Sequence, residues 1–212
     1  MLPSGLSTTS YGWVDEKTFE VLETSKVQVV KMRVISGTAK GRTLKAVPGE
    51  GTRPITDRAK ESLFNILGAD VRDARFLDLF AGTGGVGIEA LSRGAKEAVF
   101  VEQGRAALET IRANLAITKL ADRARVVRAD VFTFLAGTPD APFDYIYIAP
   151  PQYKELWAQT LRAIDASPAW LSDDSQVIVQ IHPREFEPLA LEHLGLVDER
   201  KYGSTVLCFY EL

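Results

Sequence analysis

A regular alternation of strand-like and helix-like segments from residue 74 onward constrains the fold of this chain more than any other feature. Short runs of β-formers such as "ARFLDLF", "EAVFVE" and "FDYIYIA" are separated by segments with helical periodicity, such as "GRAALETIRANLAITK". Because parallel strands are joined by helical crossovers, this alternation predicts a doubly wound α/β fold. The tail "LVDERKYGSTVLCFYEL" predicts a hairpin that turns at Tyr202 and Gly203. We therefore expect a seven-stranded mixed sheet with an antiparallel hairpin at its edge.

Three regions are expected along the chain. Residues 1–31 have a mixed pattern and are interpreted as a flexible N-terminal extension, residues 32–70 as a basic β-hairpin and helix, and residues 71–212 as the main domain. In the second region, "MRVISGTAKGRTLKAV" predicts two short strands around a glycine-containing turn. The segment "TDRAKESLFNILG" predicts a helix capped by Thr56 or Asp57 and ended by Gly68. The apolar residues expected on the buried face of that helix are Ala59, Leu63, Ile66 and Leu67.

The second region is also basic. Between Lys31 and Lys60 only Glu50 and Asp57 are acidic, against the basic residues Lys31, Arg33, Lys40, Arg42, Lys45, Arg53, Arg58 and Lys60. The whole chain has a net charge of -3, but a local basic surface can still bind phosphate groups. An ordinary solvated hairpin explains the same composition, so charge alone leaves both interpretations open.

Composition narrows the class of protein. The 212-residue chain has 46% hydrophobic and 25% charged residues, as in an ordinary globular protein. Cys208 is its single cysteine, so no intrachain disulfide can form, and a reducing, cytoplasmic location is expected. The apolar run "TVLCFY" indicates that this thiol is buried. Two histidines and one cysteine do not suggest a zinc site, no apolar run is long enough for a bilayer, and no signal-peptide pattern is expected.

The segment "LDLFAGTGGVGIEA" carries the strongest single motif. Gly82, Gly84 and Gly87 form a G-x-G-x-x-G pattern between a predicted strand and a predicted helix, where glycines let the backbone approach a ligand. Glu102 ends the next predicted strand and suits a carboxylate that accepts hydrogen bonds from a ribose. This pattern fits a dinucleotide or S-adenosylmethionine, and a tight structural turn with incidental acidic residues is a third interpretation.

Two further acidic residues favour S-adenosylmethionine. Asp78 precedes the glycines, where a carboxylate suits an amino-acid ammonium better than a pyrophosphate. Asp130, in "RADVF", follows the third predicted strand and is placed to accept a hydrogen bond from an adenine amino group. Phe80 and Val131 lie close to these acids in the sequence and complete the candidate cofactor site.

The segment "FDYIYIAPPQY" predicts a strand that stops at Ala149, because proline cannot donate a hydrogen bond within a sheet. In open α/β sheets the carboxyl ends of the strands form the edge where ligands bind. Pro150 and Pro151 are therefore expected at that edge. Tyr145 and Tyr147 alternate with isoleucines and are interpreted as part of the strand core.

The order "DLFAGTGGVG", Glu102, Asp130 and "APPQY" resembles class I S-adenosylmethionine-dependent methyltransferases that modify amino nitrogens. The upstream segments "MRVISGTAKGRTLKAV" and "TRPITDRAKESLFNIL" are similar to those of the RsmD-type bacterial 16S ribosomal RNA (guanine-N2)-methyltransferases, from about Met32 to the C-terminus. The resemblance implies a Rossmann-like fold, S-adenosylmethionine as cofactor, and methylation of a guanine N2 in 16S ribosomal RNA, within a 30S particle. It also implies a cytoplasmic monomer that needs neither a metal nor a membrane.

The resemblance also implies roles for single positions. The methionine end of the cofactor would contact Asp78, Gly82 and Gly84, the ribose Glu102, and the adenine edge Asp130. The pocket for the target base would consist of Ala149, Pro150, Pro151 and Tyr153. The RNA backbone would contact Arg33, Lys40, Arg42, Arg53 and Arg58.

Ala149 departs from the family pattern, which places a polar side chain, usually Asp, before the two prolines. An alanine methyl cannot accept a hydrogen bond from the target amine, and Gln152 also separates Pro151 from Tyr153. Backbone carbonyls of Ala149 and Pro150, with the Gln152 amide oxygen, can orient the amine instead; otherwise the enzyme is slow, or it binds without transferring a methyl group. Because correct positioning of the amine usually contributes more to catalysis than any one acceptor, an active enzyme is the favoured alternative. The remaining alternatives are methylation of another amine, such as a glutamine side chain or a free base, and an NAD-dependent oxidoreductase.

Overall fold

The computed structural model describes residues 32–49, 55–152 and 155–212. The expectations for residues 1–31, Arg53 and Tyr153 lie outside these residues. The helices are α1 (Asp57–Leu67), α2 (Gly85–Arg93), α3 (Arg105–Thr118), α4 (Val131–Leu135) and α5 (Leu156–Asp165). The strands are β1 (Arg75–Leu79), β2 (Glu97–Glu102), β3 (Ala124–Arg128), β4 (Phe143–Ile148), β5 (Leu171–Ile181), β6 (Gly195–Tyr202) and β7 (Thr205–Glu211).

The strands form one seven-stranded mixed sheet in the order β3-β2-β1-β4-β5-β7-β6. Strands β1 to β5 are parallel, and β7 runs antiparallel to both β5 and β6. The predicted α/β fold and its terminal hairpin are therefore confirmed. Because β1 pairs with β2 on one side and with β4 on the other, the strand order reverses between β1 and β4. Such a reversal opens a crevice at the carboxyl ends of these two strands.

Helix α1 begins and ends where the sequence predicts but buries a slightly different face. The Thr56 side chain caps it by accepting a hydrogen bond from the backbone N–H three residues later (3.2 Å), and the N–H of Gly68 donates to Phe64. Ile66, expected on the buried face, is 40% exposed, whereas Phe64 is buried. The prediction for Ile66 was wrong because Phe64 stacks on Phe76 of β1, which turns Ile66 to the flank of the helix.

Alternation along the strands divides the core between the two faces of the sheet. On one face, Phe76 and Phe100 pack with apolar residues of α1, α2, α3 and the N-terminal hairpin. On the other face, Leu77 and Ile146 pack with residues of α4 and α5, including Trp157. Both faces of the parallel strands are thus covered, which explains why their sequences are almost continuously apolar.

Strand β7 buries the single cysteine of the chain, as the sequence predicts. Burial, together with the nearby charge of Glu199, raises the pKa of the Cys208 thiol to about 12. A thiol in this state is a packing group rather than a nucleophile. None of the helices in the described ranges is both long enough and apolar enough to cross a bilayer.

The N-terminal hairpin is held to the sheet by a buried carboxylate. Its two arms are paired through an isolated antiparallel bridge between Arg33 and Thr43. The pairing agrees with the prediction, but the two short strands expected here are reduced to this bridge in the described residues. Glu89 of α2 is fully buried and accepts hydrogen bonds from the N–H groups of Ile35 (2.7 Å) and Ser36 (2.9 Å). This helix therefore supplies hydrogen-bond partners that the short hairpin cannot provide for itself.

Two more contacts fix the hairpin. Gly37 has φ 80°, and a Cβ atom there would overlap the carbonyl oxygen of Ser92 in α2, so only glycine fits this approach. In α3, the buried Asn114 side chain accepts from the N–H of Lys45 (2.7 Å) and donates to the carbonyl oxygens of Lys45 (3.1 Å) and Thr83 (2.9 Å). Asn114 thereby joins the hairpin to the glycine loop.

Candidate active site

A cleft of about 850 Å³ opens at the carboxyl edge of the sheet, where the strand order reverses. Its walls come from the ends of β1, β2, β4 and β5, from the glycine loop, and from the loop between β3 and α4. The N-terminal hairpin and the start of α1 contribute Met32, Leu44, Ile55 and Thr56. This volume is large enough for a cofactor and part of a second substrate.

The three glycines of the G-x-G-x-x-G pattern have different structural roles. Gly82 lies in the cleft wall with φ 54°, and its N–H donates to Oε2 of Glu102 (2.9 Å). Gly84 and Gly87 are not in that wall. Gly84 packs against Phe100, and a Cβ at Gly87 would overlap the same ring and lie 3.1 Å from Oδ2 of Asp78. The second and third glycines therefore let α2 pack closely on the sheet, while Thr83, Gly85 and Val86 line the cleft in their place.

Asp78 is a buried carboxyl group at the bottom of the cleft. Its Oδ2 accepts a hydrogen bond from the N–H of Gly87 (3.0 Å). Burial raises the pKa of Asp78 to about 8; the Gly87 hydrogen bond opposes this rise, and the negative charge of Glu102 adds to it. Among the described residues no cationic side chain forms an ion pair with Asp78. A ligand ammonium would supply an ion-pair partner that the described residues do not give Asp78.

Glu102 holds together the part of the cleft wall that is formed by the end of β2 and the glycine loop. Its Oε1 accepts from the N–H groups of Gln103 (2.9 Å) and Gly104 (2.8 Å), while Oε2 accepts from Gly82. The carboxylate thus ties the end of β2 to the glycine loop, a role that the sequence does not predict. Each carboxylate oxygen can accept more than one hydrogen bond, so these contacts remain compatible with ribose hydroxyls.

Asp130 has a structural role as well as a place in the cleft. Its Oδ1 accepts from the N–H groups of Phe132 (3.0 Å) and Thr133 (3.0 Å), which makes Asp130 the N-cap of α4. Asp130 and the buried Val131 both line the cleft, on the side of β3. Phe80 also lies in the wall.

The Pro-Pro segment lies at the predicted edge. Strand β4 ends at Ile148, and the N–H of Ala149 still donates to Leu79 of β1 (3.4 Å). Ala149, Pro150 and Pro151 all line the cleft, together with Gln152. The structure therefore brings these residues and Asp78 into one cleft, as the sequence predicts, whereas Tyr153 lies outside the described residues.

Tyr147 and Gln180 are cleft residues that sequence reasoning missed. Tyr147 is only 2% exposed, which agrees with its interpretation as strand core, but its ring also lines the cleft and its hydroxyl donates to Oε1 of Gln180. Burial raises the pKa of Tyr147 well above its ordinary value, and the nearby Asp78 adds to this rise. A polar residue next to the end of an otherwise apolar strand, as in "VIVQI", was the signal that could have identified Gln180.

Four of the basic residues predicted to contact RNA are exposed: Arg33, Lys40, Arg42 and Arg58. Arg33 pairs with Asp57 (2.8 Å), and Nη1 of Arg42 donates to the carbonyl oxygen of Ile117 (2.7 Å). Lys60 differs from them, because it is 3% exposed, donates to the carbonyl of Arg33 (2.6 Å) and lies 3.6 Å from the Glu89 carboxylate. Burial lowers the pKa of Lys60 despite the attraction of Glu89.

Comparison with known proteins agrees with this architecture. The family model described as "Conserved hypothetical protein 95" matches residues 32–211. The chain is 41% identical to "Putative rRNA methyltransferase YlbH" of Bacillus subtilis, over 85% of this chain and 98% of that protein. It is 35% identical to "Ribosomal RNA small subunit methyltransferase D" of Escherichia coli, over 85% of this chain and 90% of that protein.

A solved structure supports the same assignment. The structure of "Putative methyltransferase yhhF" from Escherichia coli superposes with a TM-score of 0.75 at 34% identity, covering 85% of this chain and 97% of that one. The matched region begins at Met32, where the sequence resemblance also begins. The chain therefore belongs to the conserved hypothetical protein 95 family, the family of the RsmD-type ribosomal RNA methyltransferases.

Proposed function

We propose that this protein transfers a methyl group from S-adenosylmethionine to the exocyclic N2 of a guanine in 16S ribosomal RNA. The observation that carries the proposal is a single cleft that joins the buried Asp78 carboxyl to the segment Ala149–Pro151 at the reversal point of the sheet. The names of the relatives, which refer to ribosomal RNA and to the small subunit, support the choice of substrate.

The described residues fit the cofactor. Asp78 would bind the methionine ammonium, Glu102 the ribose hydroxyls, and Asp130 with Val131 the adenine ring. The fit rests on a buried carboxyl group whose pKa is raised to about 8 and on a glycine, Gly82, whose N–H lies in the wall of the cleft. When bound, S-adenosylmethionine supplies a methyl group on a sulfonium, which leaves as a neutral thioether.

The segment Ala149–Pro151 would position the amine. The lone pair of a guanine N2 is delocalised into the ring, so transfer requires the nitrogen to be held with that lone pair directed at the methyl carbon. The two prolines restrict the backbone and keep the carbonyl oxygens of Ala149 and Pro150 in fixed directions. These oxygens can accept the amino hydrogens in place of the carboxylate that Ala149 lacks. After transfer, the nitrogen loses one proton to solvent.

The exposed basic residues of the hairpin and α1 would bind the RNA backbone. Arg33 pairs with Asp57, which lines the cleft, whereas Arg42 contacts the C-terminal end of α3, farther from it. Lys40, Arg58 and Arg53 are proposed to act with them. Phosphate contacts of this type position an RNA without reading its sequence. We place the reaction on a 30S particle in the cytoplasm, with the enzyme acting as a monomer and without a metal.

The test is transfer of labelled methyl groups to 30S particles that lack the modification, followed by nucleoside analysis. We expect labelled N2-methylguanosine in 16S ribosomal RNA, and loss of labelling with Asp78→Ala. Tight cofactor binding without any labelled nucleoside would contradict the proposed substrate. Label in protein or in a free base would assign the same cleft to another amine.

A further inference from the structure

We propose that Gln180 recognises the O6 atom of the target guanine through its Nε2 amide group, and that Tyr147 fixes the orientation of this amide. The inference rests on the proposed function, because it concerns the same target base. It adds a specificity-determining residue and a positioning residue that lie outside the glycine loop and the Pro-Pro segment.

The position of Gln180 follows from the register of the sheet. Tyr147 pairs with Ile178, and Ile148 with Val179, so the next step along both strands brings Ala149 beside Gln180. Neighbouring strands lie about 4.8 Å apart. Asp78 pairs with Tyr147 on the other side of β4. Gln180 therefore lies next to the Pro-Pro segment, on the side away from the Asp78 carboxyl and the predicted cofactor.

Side-chain alternation places Asp78, Tyr147 and Gln180 on the same face of the sheet. Asp78 and Tyr147 are register partners, Ala149 follows Tyr147 by two residues, and Gln180 follows Ile178 by two residues. All of them except Ile178 line the cleft. Because Ala149 has only a methyl group, the longer Gln180 side chain faces no large neighbour at that position of β4.

The hydrogen bond from Tyr147 determines which end of the amide faces the cleft. The Tyr147 hydroxyl donates to Oε1 of Gln180, so the amide oxygen is directed at the strand and the Nε2 group is directed away from it. Within the described residues, Nε2 of Gln180 donates no hydrogen bond to the protein. Burial keeps the Tyr147 phenol protonated, since its pKa lies well above the ordinary value. The phenol therefore remains a donor at neutral pH.

A donor at this place distinguishes guanine from adenine. Guanine carries an acceptor at O6, whereas adenine carries a donor amino group at the equivalent position. With the N2 amine held by the carbonyl oxygens of Ala149 and Pro150, O6 lies at the far end of the same base edge, toward Gln180. An amide donor that meets no acceptor would remain unsatisfied in the cleft, so bases without O6 bind less well.

The experiment compares guanine with 2-aminopurine, which keeps the N2 amine but lacks O6 and the N1 proton, at the modified position of reconstituted 30S particles. We expect the wild-type protein to prefer guanine by about tenfold in kcat/KM, the value of one satisfied hydrogen bond. Gln180→Ala should lose about tenfold on guanine, and its preference for guanine over 2-aminopurine should fall accordingly. Tyr147→Phe should weaken the preference mainly through KM, because the amide can then rotate.

Controls separate recognition from folding and from failure of the proposed function. Gln176→Ala, in the middle of the same strand and outside the residues that line the cleft, removes a hydrogen bond to Glu211 and should leave the preference unchanged. Cofactor affinity, measured by calorimetry, should be the same in all variants. A Gln180→Ala variant that binds cofactor and keeps the full wild-type preference for guanine would overturn the inference.

A second variant tests whether the Gln180 amide instead presents its oxygen, an acceptor, to the target base. Gln180→Glu keeps the size of the side chain but replaces the Nε2 donor by an acceptor, and should lower turnover of guanine at least as much as Gln180→Ala. Full activity of this variant would mean that the site needs an acceptor there, and would overturn the inference. If wild-type protein makes no N2-methylguanosine at all, the proposed function fails first, and the inference fails with it.

Discussion

Replacement of Glu89 by Gln tests how the N-terminal hairpin is attached. Glu89 is fully buried and accepts hydrogen bonds from two backbone N–H groups of the hairpin and from Arg93 (2.9 Å), with Lys60 at 3.6 Å. A glutamine keeps one acceptor oxygen but removes the charge and directs a donor at groups that are themselves donors. Lys60, 3% exposed, then loses its counter-charge.

The expected cost follows from this geometry. Removing one partner of a buried ion pair destabilises a protein by about 3–5 kcal/mol. For a domain of this size, about 2–4 °C of melting temperature is lost per kcal/mol, so Glu89→Gln should lower Tm by about 6–20 °C. The measurement is urea-induced unfolding together with a thermal melt of the full chain.

The chain contains its own matched control. Arg105 and Glu109 form another (i, i+4) pair, at 3.0 Å, but both side chains are exposed. Glu109→Gln should therefore change the free energy of unfolding by no more than about 0.5 kcal/mol. Equal effects of the two substitutions would refute the view that Glu89 holds the hairpin in place.

Three further predictions concern single residues. Because the Asp78 carboxyl has a pKa of about 8 instead of 3.8, it is largely protonated at pH 7, and binding of a ligand ammonium should release up to one proton. Calorimetry in buffers of different ionisation enthalpy measures this proton release, and Asp78→Asn should abolish the release. Identical binding heats of the wild-type protein in all buffers would contradict the prediction. Gly37→Ala should lower the free energy of unfolding in urea by about 1–3 kcal/mol more than Gly41→Ala. Both glycines have φ 80°, but only a Cβ at Gly37 would overlap Ser92. Similar losses for the two variants would exclude this clash. Ala149→Asp should either leave turnover unchanged or raise it by up to about tenfold in the labelled-methyl assay, because a carboxylate can accept the amine hydrogens. A large loss of turnover would mean that the pocket requires the small side chain.

The raised pKa of Asp78 also fixes the sign of its effect on stability. Between about pH 4 and pH 8 the unfolded chain ionises this group while the folded protein keeps it protonated. Stability should therefore fall as pH rises through this window, and Asp78→Asn should remove that contribution to the slope. The pH dependence of urea-induced unfolding measures both.

Local patterns were sufficient for the order and type of the strands and helices. The runs around β1 to β5 and the terminal hairpin were predicted from residues that are neighbours in the chain, although the turn lies at Gly203 and Ser204, one residue later than expected. The predicted cap at Thr56 was also confirmed, because an N-cap contact spans only three residues. The order of the motifs also predicted that Asp78 and Pro150 lie at one edge of the sheet, because parallel strands place their carboxyl ends together.

Tertiary structure decided the features that depend on distant segments. The burial of Lys60 and Glu89, the packing roles of Gly84 and Gly87, and the pairing of Tyr147 with Gln180 all required contacts across the fold. Tyr147 and Gln180 are 33 residues apart, and only the register between β4 and β5 brings them together. The sequence by itself therefore determined the local elements and the edge of the site. The protonation of Asp78 and the orientation of Gln180 were decided by packing, because burial and register are properties of the assembled chain.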